Sequence, residues 1–336
     1  MKITTYILTL LTSICGLFIF ASCSNNQQYK AEGVVWNTQY HITYIASKTL
    51  DDSIQPVLRE VELSLSPFCP NSLITRINNG EDVEVDSMLA TVFESSKQVN
   101  QWSGGAFDPS VSPLINLWGF GYKNYGTPPT QSQIDSALMF VGIDSCFIVD
   151  NSIKKKHPRT EFNFSAITKG YGCDMIASMM QQNGCNDFMI EIGGDMVIAG
   201  KNPQGKPWRV MIDAPIDNDT SITHSSAAII EVSDCGIATS GNYRNFRKDK
   251  NGKKTGHTIN PKTGHPVITS TLSATVIAPN AMMADALATA CMAMPHNEAL
   301  KMIEAIPSTS AMLITADSIS GQWNIVTSSR FPKIIK

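Results

Sequence analysis

Apolar and polar residues alternate over Tyr40 to Ile45, with Ile42 and Tyr44 on one face and His41 and Thr43 on the other. With the β-rich Gly33 to Val35 just before it, this pattern predicts strands at the start of the fold. The period becomes helical over Leu50 to Leu65, breaks at Pro67-Phe68-Cys69-Pro70-Asn71, and is helical again over Asp86 to Ser103, closed by Gly104-Gly105. Phe107 to Tyr122 crowds Pro109, Pro113, glycines and aromatics together, which predicts a structured loop rather than a regular element. Further helices are expected over Gln131 to Val141, Ile167 to Gln182, Ala284 to Met294 and Glu298 to Ala305, and a hairpin-like stretch across Cys146 to Asn163. Strands are expected at Asp187 to Ile192, Val197 to Ala199, Trp208 to Asp213, Ala227 to Ser233, Ile237 to Thr239, Leu272 to Ala278, Ser310 to Ile314 and Gly321 to Val326. Strands and helices mix without strict βαβ alternation, so the expected class is α+β.

The N-terminus follows another pattern. Met1-Lys2 is followed by an apolar run, Tyr6 to Phe20, too short for a comfortable membrane span. It ends in Phe20-Ala21-Ser22-Cys23, which looks like a bacterial lipobox. The expectation is a leader over residues 1–22, lipidation at Cys23, a polar tether to residue 32 and one folded domain over 33–330. An ordinary secretory signal is the rival. Either way the protein works outside the cytoplasm. With the lipid it sits in the bacterial cell envelope, facing the periplasm, on the inner or the outer membrane.

Composition narrows the function classes. The chain has 336 residues and a formal net charge of -3, which argues against nucleic acid as a partner. Cys69, Cys146, Cys173, Cys185, Cys235 and Cys291 are scattered without a CxxC, so they read as small core residues rather than a zinc site. No GxGxxG, P-loop or GxSxG is present.

Candidate chemistry is concentrated at a few places. Asp285 and Thr289 stand at i and i+4 in an Ala/Met/Leu helix, a carboxylate and a hydroxyl on one face, suited to a hard cation such as Mg2+ or to an ordinary core. Glu191-Ile192-Gly193-Gly194-Asp195 puts two acids around a glycine pair at a strand end, which reads as a ligand-facing loop or a plain β-turn. Thr239-Ser240-Gly241 follows a strand and offers small donors to phosphate oxygens, or is itself a turn. His257, before the Asn260-Pro261 turn, serves as base, phosphate contact or satisfied core group. Lys169 can meet a phosphate or be solvated, and Tyr171 and Phe68 can stack on an aromatic ligand or pack in the core.

Taken in order, these pieces resemble the ApbE family of FAD:protein FMN transferases from about Gly33 to Thr327. They are Tyr40-His41-Ile42-Thr43, Pro70-Asn71-Ser72, Phe107-Asp108-Pro109 through Leu117-Trp118-Gly119-Phe120-Gly121, and Phe164-Ser165-Ala166-Ile167-Thr168-Lys169-Gly170-Tyr171. Then follow Glu191 to Asp195, Thr239 to Gly241, His257 to Gly264 and Ala284 to Thr289. The resemblance implies an ApbE-like fold with mixed, largely antiparallel sheets flanked by helices, and a flavin cleft between two interlocked halves. It implies that FAD is cleaved with Mg2+, that FMN is joined to a Thr or Ser hydroxyl of an exported redox protein, and that AMP is released.

By the same resemblance Asp285, Thr289 and the carbonyl of Ala166 are metal ligands. Phe68 or Tyr171 faces the isoalloxazine, and Trp118-Gly119-Phe120 lines the adenine side. Glu191, Gly193, Gly194, Asp195, Lys169 and Thr239-Ser240-Gly241 bound the flavin and phosphate pocket, and His257 contacts the phosphate or takes the acceptor's proton. The expected acceptor carries a Ser/Thr-x-Ala-Thr-like segment, as a respiratory redox-complex subunit would. Leu272-Ser273-Ala274-Thr275 loosely resembles such a segment but reads as a buried strand. Two departures stand out: Trp36-Asn37-Thr38 replaces the usual Met-Gly-Thr, and Asn260 stands where many relatives have Asp. The rivals are an FAD pyrophosphatase and a non-catalytic FAD-binding lipoprotein.

Overall fold

Trp36 (φ 47°) and Asn37 (φ 62°) form a left-handed two-residue turn that folds β1 (Gln27–Val35) onto β2 (Thr38–Ala46). The computed structural model describes residues 26–123, 128–215, 225–241, 246–248, 254–317 and 322–335. The expected leader and Cys23 lie outside the described residues. β1 begins at Gln27, so part of the expected tether up to residue 32 is paired strand.

The helices α1 (Ile54–Leu65), α2 (Leu73–Asn78), α3 (Ser87–Trp102), α4 (Ser112–Leu117) and α5 (Gln131–Leu138) follow. Two of them fall where the sequence pattern predicted none. α2 is capped by Ser72, whose Oγ accepts the Thr75 N–H at 3.1 Å, just after the proline-marked break. α4 lies inside the expected loop: Pro113 sits in its first turn, where a missing N–H costs nothing. The hairpin expected across Cys146 to Asn163 shrinks to β3 (Phe147–Val149) and β4 (Ser152–Lys154).

The long helix α6 (Ser165–Gln182) leads to the hairpin β5 (Asp187–Ile192) and β6 (Asp195–Ala199). Then come β7 (Trp208–Asp213), β8 (Ser226–Val232), β9 (Cys235–Gly241), and the short pair β10 (Phe246–Lys248) and β11 (Lys254–Gly256). The chain closes with β12 (Thr271–Ala278), α7 (Ala281–Met292), α8 (His296–Ala305), β13 (Ser310–Ala316) and β14 (Trp323–Thr327).

One eight-stranded sheet runs β1-β2-β5-β6-β9-β12-β13-β14, antiparallel at every neighbouring pair. The molecule is therefore α+β with flanking helices, and among the described residues its large sheet is antiparallel throughout rather than mixed. Strand alternation sorts its two faces. Ile237 and Ile277 pack with Trp208, Val210 and Ile230 of the β7–β8 hairpin on one side. Ala238, Ala274 and Val276 face Ala284, Ala288 and the rest of α7 on the other. Their small size lets α7 lie close, and Gly236 shows how close: a Cβ there would stand 2.1 Å from the Asn280 carbonyl carbon. Ser273, Ala274 and Thr275 are buried in β12, as expected of that strand. All six remaining cysteines are free, and all but Cys235 are buried. A smaller core, formed by Val111, Leu114, Ile134, Ala137 and Ile259, ties α4 and α5 to the loop that carries His257.

Candidate active site

The polar centre of the molecule is built on α6 and α7. Three side-chain oxygens cap α7: Asn280 Oδ1 accepts the Met283 N–H at 2.9 Å, and Asp174 on α6 accepts Ala281 N–H at 2.9 Å and Met282 N–H at 2.8 Å. The two helices can approach because residue 170 is glycine. A Cβ there would lie 2.1 Å from the Ala281 carbonyl oxygen. The approach brings the Gly170 N–H to 3.2 Å from Asp285 Oδ2.

That bond bears on the metal reading. In a helix the Gly170 N–H ordinarily bonds the carbonyl of Ala166, four residues back. Here a buried carboxylate accepts from that donor, and the Ala166 carbonyl, with two lone pairs, has acceptor capacity to spare. Thr289 follows Asp285 by one turn, and its Oγ1 lies 3.3 Å from Ser240 Oγ at the end of β9. Asp285, Thr289 and the Ala166 carbonyl are hard oxygen donors that fit Mg2+. Among the described residues no group of three His, Cys, Asp or Glu side chains gathers as a metal cage. A cation here would need oxygens from a bound phosphate to complete its shell.

Lys169 balances the charge. Its ammonium bonds the buried Asp195 carboxylate of β6 and stands 3.7 Å from Asp285 Oδ2. Burial opposes the ammonium, but the two carboxylates outweigh it and hold Lys169 above its usual value. Asp195 is pushed up to about 8, first by burial and then by the Asp285 charge, against the pull of Lys169. Asp174 is pushed up to about 6 by burial, against the two N–H bonds it accepts.

A second group sits on loops beside the smaller core. The Trp118 Nε1–H donates to the Gly264 carbonyl at 2.8 Å, and its ring lies 5.9 Å from His265. Phe120 and His257 meet edge to face, with ring centroids 6.4 Å apart. Gly119 (φ 77°) turns the chain between the two aromatics. Asn260 shapes the other loop as an Asx turn, its Oδ1 accepting Lys262 N–H at 2.8 Å and Thr263 N–H at 3.2 Å. Phe68 is 60% exposed on the α1–α2 connection, and its ring lies near-perpendicular to that of Tyr122 with centroids 6.2 Å apart.

Several candidate residues fall elsewhere. Tyr171 is buried in the main core, where its hydroxyl is pushed up to about 12 by burial, so packing accounts for it. Glu191 lies on the sheet face away from α6. Its carboxylate accepts the Gly194 N–H and pairs with His41 Nδ1 at 2.7 Å, closing the β5–β6 turn. Gly193 (φ 57°) and Gly194 (φ 95°) are the two residues of that turn, which explains both glycines. Thr239-Ser240-Gly241 is the last part of β9, not a turn after it. Alternation sends Ser240 to α7 and Thr239 to the opposite face, where it bonds Thr275 at 2.8 Å. The Trp36 departure rests on α6: a Cβ at Gly172 would stand 2.6 Å from its ring.

Asp174, Gly170 and His265 were not singled out from the sequence as site residues. Asp174 left a trace, a lone acid one helical turn after Gly170 in a largely apolar helix. His265 left none.

The sequence profile of the ApbE family matches residues 36–314. A protein from Vibrio cholerae serotype O1 named FAD:protein FMN transferase is 33% identical over 318 residues, covering 91% of this chain and 94% of its own. A Haemophilus influenzae protein of the same name is 33% identical, covering 81% of this chain and 82% of its own. Among solved structures the chain resembles the flavin transferase ApbE from Vibrio cholerae, with a TM-score of 0.80 and 32% identity over 90% of this chain and 98% of that one. It also resembles the Pseudomonas stutzeri flavinyl transferase ApbE in its apo form, with a TM-score of 0.80 and 25% identity over 90% of this chain and 95% of that one.

Proposed function

The chain belongs to the ApbE family and is a flavin transferase, and we propose that it moves the FMN half of FAD, with Mg2+, onto a Thr or Ser hydroxyl of an exported protein. The observation that carries the metal assignment is the α6–α7 junction, where Asp285 and Thr289 offer hard oxygens beside a lysine, with the Ala166 carbonyl one turn before Gly170 on α6. Asp285, Thr289 and the Ala166 carbonyl would hold Mg2+ there, and the ion would supply positive charge against the pyrophosphate and the leaving AMP.

The remaining work falls to this chain's own residues. The acceptor hydroxyl oxygen forms a bond to the flavin-side phosphorus as the phosphorus–oxygen bond to AMP breaks. His257 takes the hydroxyl proton. Lys169 pairs with Asp285 where that carboxylate meets the Gly170 N–H, and adds positive charge beside the phosphates. Ser240 holds Thr289 in place. Phe68 offers a flat face to the isoalloxazine, and Trp118 with Phe120 lines the adenine side.

The acceptor in this proposal carries a Ser/Thr-x-Ala-Thr-like segment and belongs to a respiratory redox complex. The Phe20-Ala21-Ser22-Cys23 motif supports a lipid anchor at Cys23 and a periplasmic site of action. Membrane release of a Cys23→Ser chain would support the anchor, and retention in the membrane would refute it.

The transfer is tested by incubating the mature chain with FAD, Mg2+ and an acceptor domain, then weighing the acceptor by intact-mass spectrometry. A gain of one FMN moiety, absent with Asp285→Ala, is expected. Free FMN and AMP with an unmodified acceptor would replace transfer by hydrolysis.

A further inference from the structure

Asp174 does more than cap a helix. We propose that it is the positioning residue of the metal pair, setting the register of α7 against α6 so that Asp285 and Thr289 face the Ala166 carbonyl. The inference rests on the reading that Asp285 and Thr289 hold the metal.

Ala166, Gly170 and Asp174 follow one another at steps of four, so they form one stripe along α6. Gly170 bonds Asp285, and Asp174 bonds Ala281 and Met282. Moving toward the C-terminus of α6 therefore moves toward the N-terminus of α7, and the helices run antiparallel. From Asp174 to Ala166, and from Ala281 to Thr289, the same eight-residue interval is spanned, about 12 Å of helix. The clamp stands at one end of this interval, and Ala166 and Thr289 at the other. A slip of one residue would displace Asp285 by about 1.5 Å and turn it about 100° away from α6.

Asn280 caps one N–H of α7, that of Met283, from within its own chain segment and without reference to any other helix. Asp174 instead reaches across from α6 with both carboxylate oxygens, and two bonds from one rigid carboxylate fix rotation as well as translation. Holding it there is costly, since burial pushes its carboxyl up to about 6. A side chain without two acceptors would leave the Ala281 and Met282 N–H groups unpaired, so one carboxylate both completes the cap and ties it to α6. Gly170 completes the device by removing the one Cβ that would hold the helices apart.

The test uses the mature protein and Mn2+ as the metal probe. Isothermal titration with Mn2+ in the presence of FAD is compared for wild type, Asp285→Ala, Asp174→Asn and Asp174→Glu. FAD binding is measured separately in EDTA. Asp174→Asn keeps the size but turns an N–H donor toward a backbone donor. It is expected to weaken Mn2+ binding by roughly 10–100-fold, with FAD affinity in EDTA equal to wild type and turnover recovered at excess metal. Asp174→Glu keeps the charge and both oxygens one methylene further out, and should bind Mn2+ between the two.

A folded Asp174→Asn or Asp174→Glu protein with wild-type Mn2+ affinity would overturn the inference, even if its melting temperature fell. Should Asp174→Asn not fold, the Glu variant decides alone. If Asp285→Ala leaves Mn2+ binding intact, the metal assignment itself falls and takes the inference with it. That outcome is distinguishable, because it does not involve Asp174.

Discussion

The polar centre at α6 and α7 and the aromatic–histidine group on the 118–120 and 257–265 loops are built by opposite means. In the first, each side chain comes from a helix or a central strand, and each bond ties two such elements together: Lys169 to Asp195, Gly170 to Asp285, Asp174 to Ala281 and Met282, Ser240 to Thr289. In the second, loops carry everything, and rings meet at centroid distances of 5.9 Å and 6.4 Å. A cation and a pyrophosphate demand oxygens at fixed positions, which rigid elements supply. A large flat ligand tolerates small displacements, so surface loops suffice to hold it.

Damage to the polar centre should therefore cost stability, and damage to the loop group function alone. The sharpest case is Lys169→Met, which leaves two buried carboxylates without their cation. It should cost about 3 kcal/mol in urea unfolding, and an unchanged midpoint would show that charge does not hold the centre together. His257→Ala tests the other side. It should lower kcat roughly 100-fold while unfolding and FAD affinity stay at wild-type values. A loss of stability instead would make His257 structural and blur the contrast.

Gly170→Ala places a methyl 2.1 Å from the Ala281 carbonyl oxygen. A cost of about 2 kcal/mol is expected in thermal unfolding, with weaker Mn2+ binding as α6 and α7 separate. Neither effect would be seen if the helices yield freely.

The pH dependence sharpens the picture further. Burial raises Asp174 to about 6 in the folded protein, so between about pH 4 and 6 the folded state keeps a proton that the unfolded chain has lost. Stability therefore falls as pH rises through that window, by at most about 1.4 kcal/mol per unit from this group, and levels off above it. Asp174→Asn should flatten that part of the profile, and an identical slope in both proteins would deny Asp174 the role. The smallest effect belongs to the loops: Trp118→Phe removes the bond to the Gly264 carbonyl and should weaken FAD binding by about 1 kcal/mol, roughly fivefold, in a fluorescence titration. A larger loss of folding stability than of affinity would argue against adaptable loops.

Local pattern made much of this fold readable, and its failures have causes. Alternation over Tyr40 to Ile45 and apolar strands such as Asp187 to Ile192 were legible because each face of the sheet meets a different layer. α2 and α4 were not, because both are six residues long and begin beside prolines or in crowded aromatic sequence. The Asp285–Thr289 pair was legible from helical spacing. Glu191 and Thr239 were drawn into the candidate site through their neighbours, although strand alternation turns both away from it.

By itself the sequence determined the α+β class, the order of the family's motifs, the spacing that stacks Asp285 over Thr289, and the turn chemistry of Gly193-Gly194 and Asn260. These depend on bonds and steric limits within a few residues. Only the tertiary structure decided that Lys169 lies between Asp195 and Asp285, that the Gly170 N–H meets a carboxylate 115 positions along the chain, and that Asp174 holds the N-terminal end of α7. Those contacts arise from how closely two helices pack and in which register. That depends on side-chain volumes along both of them at once, which no local window contains.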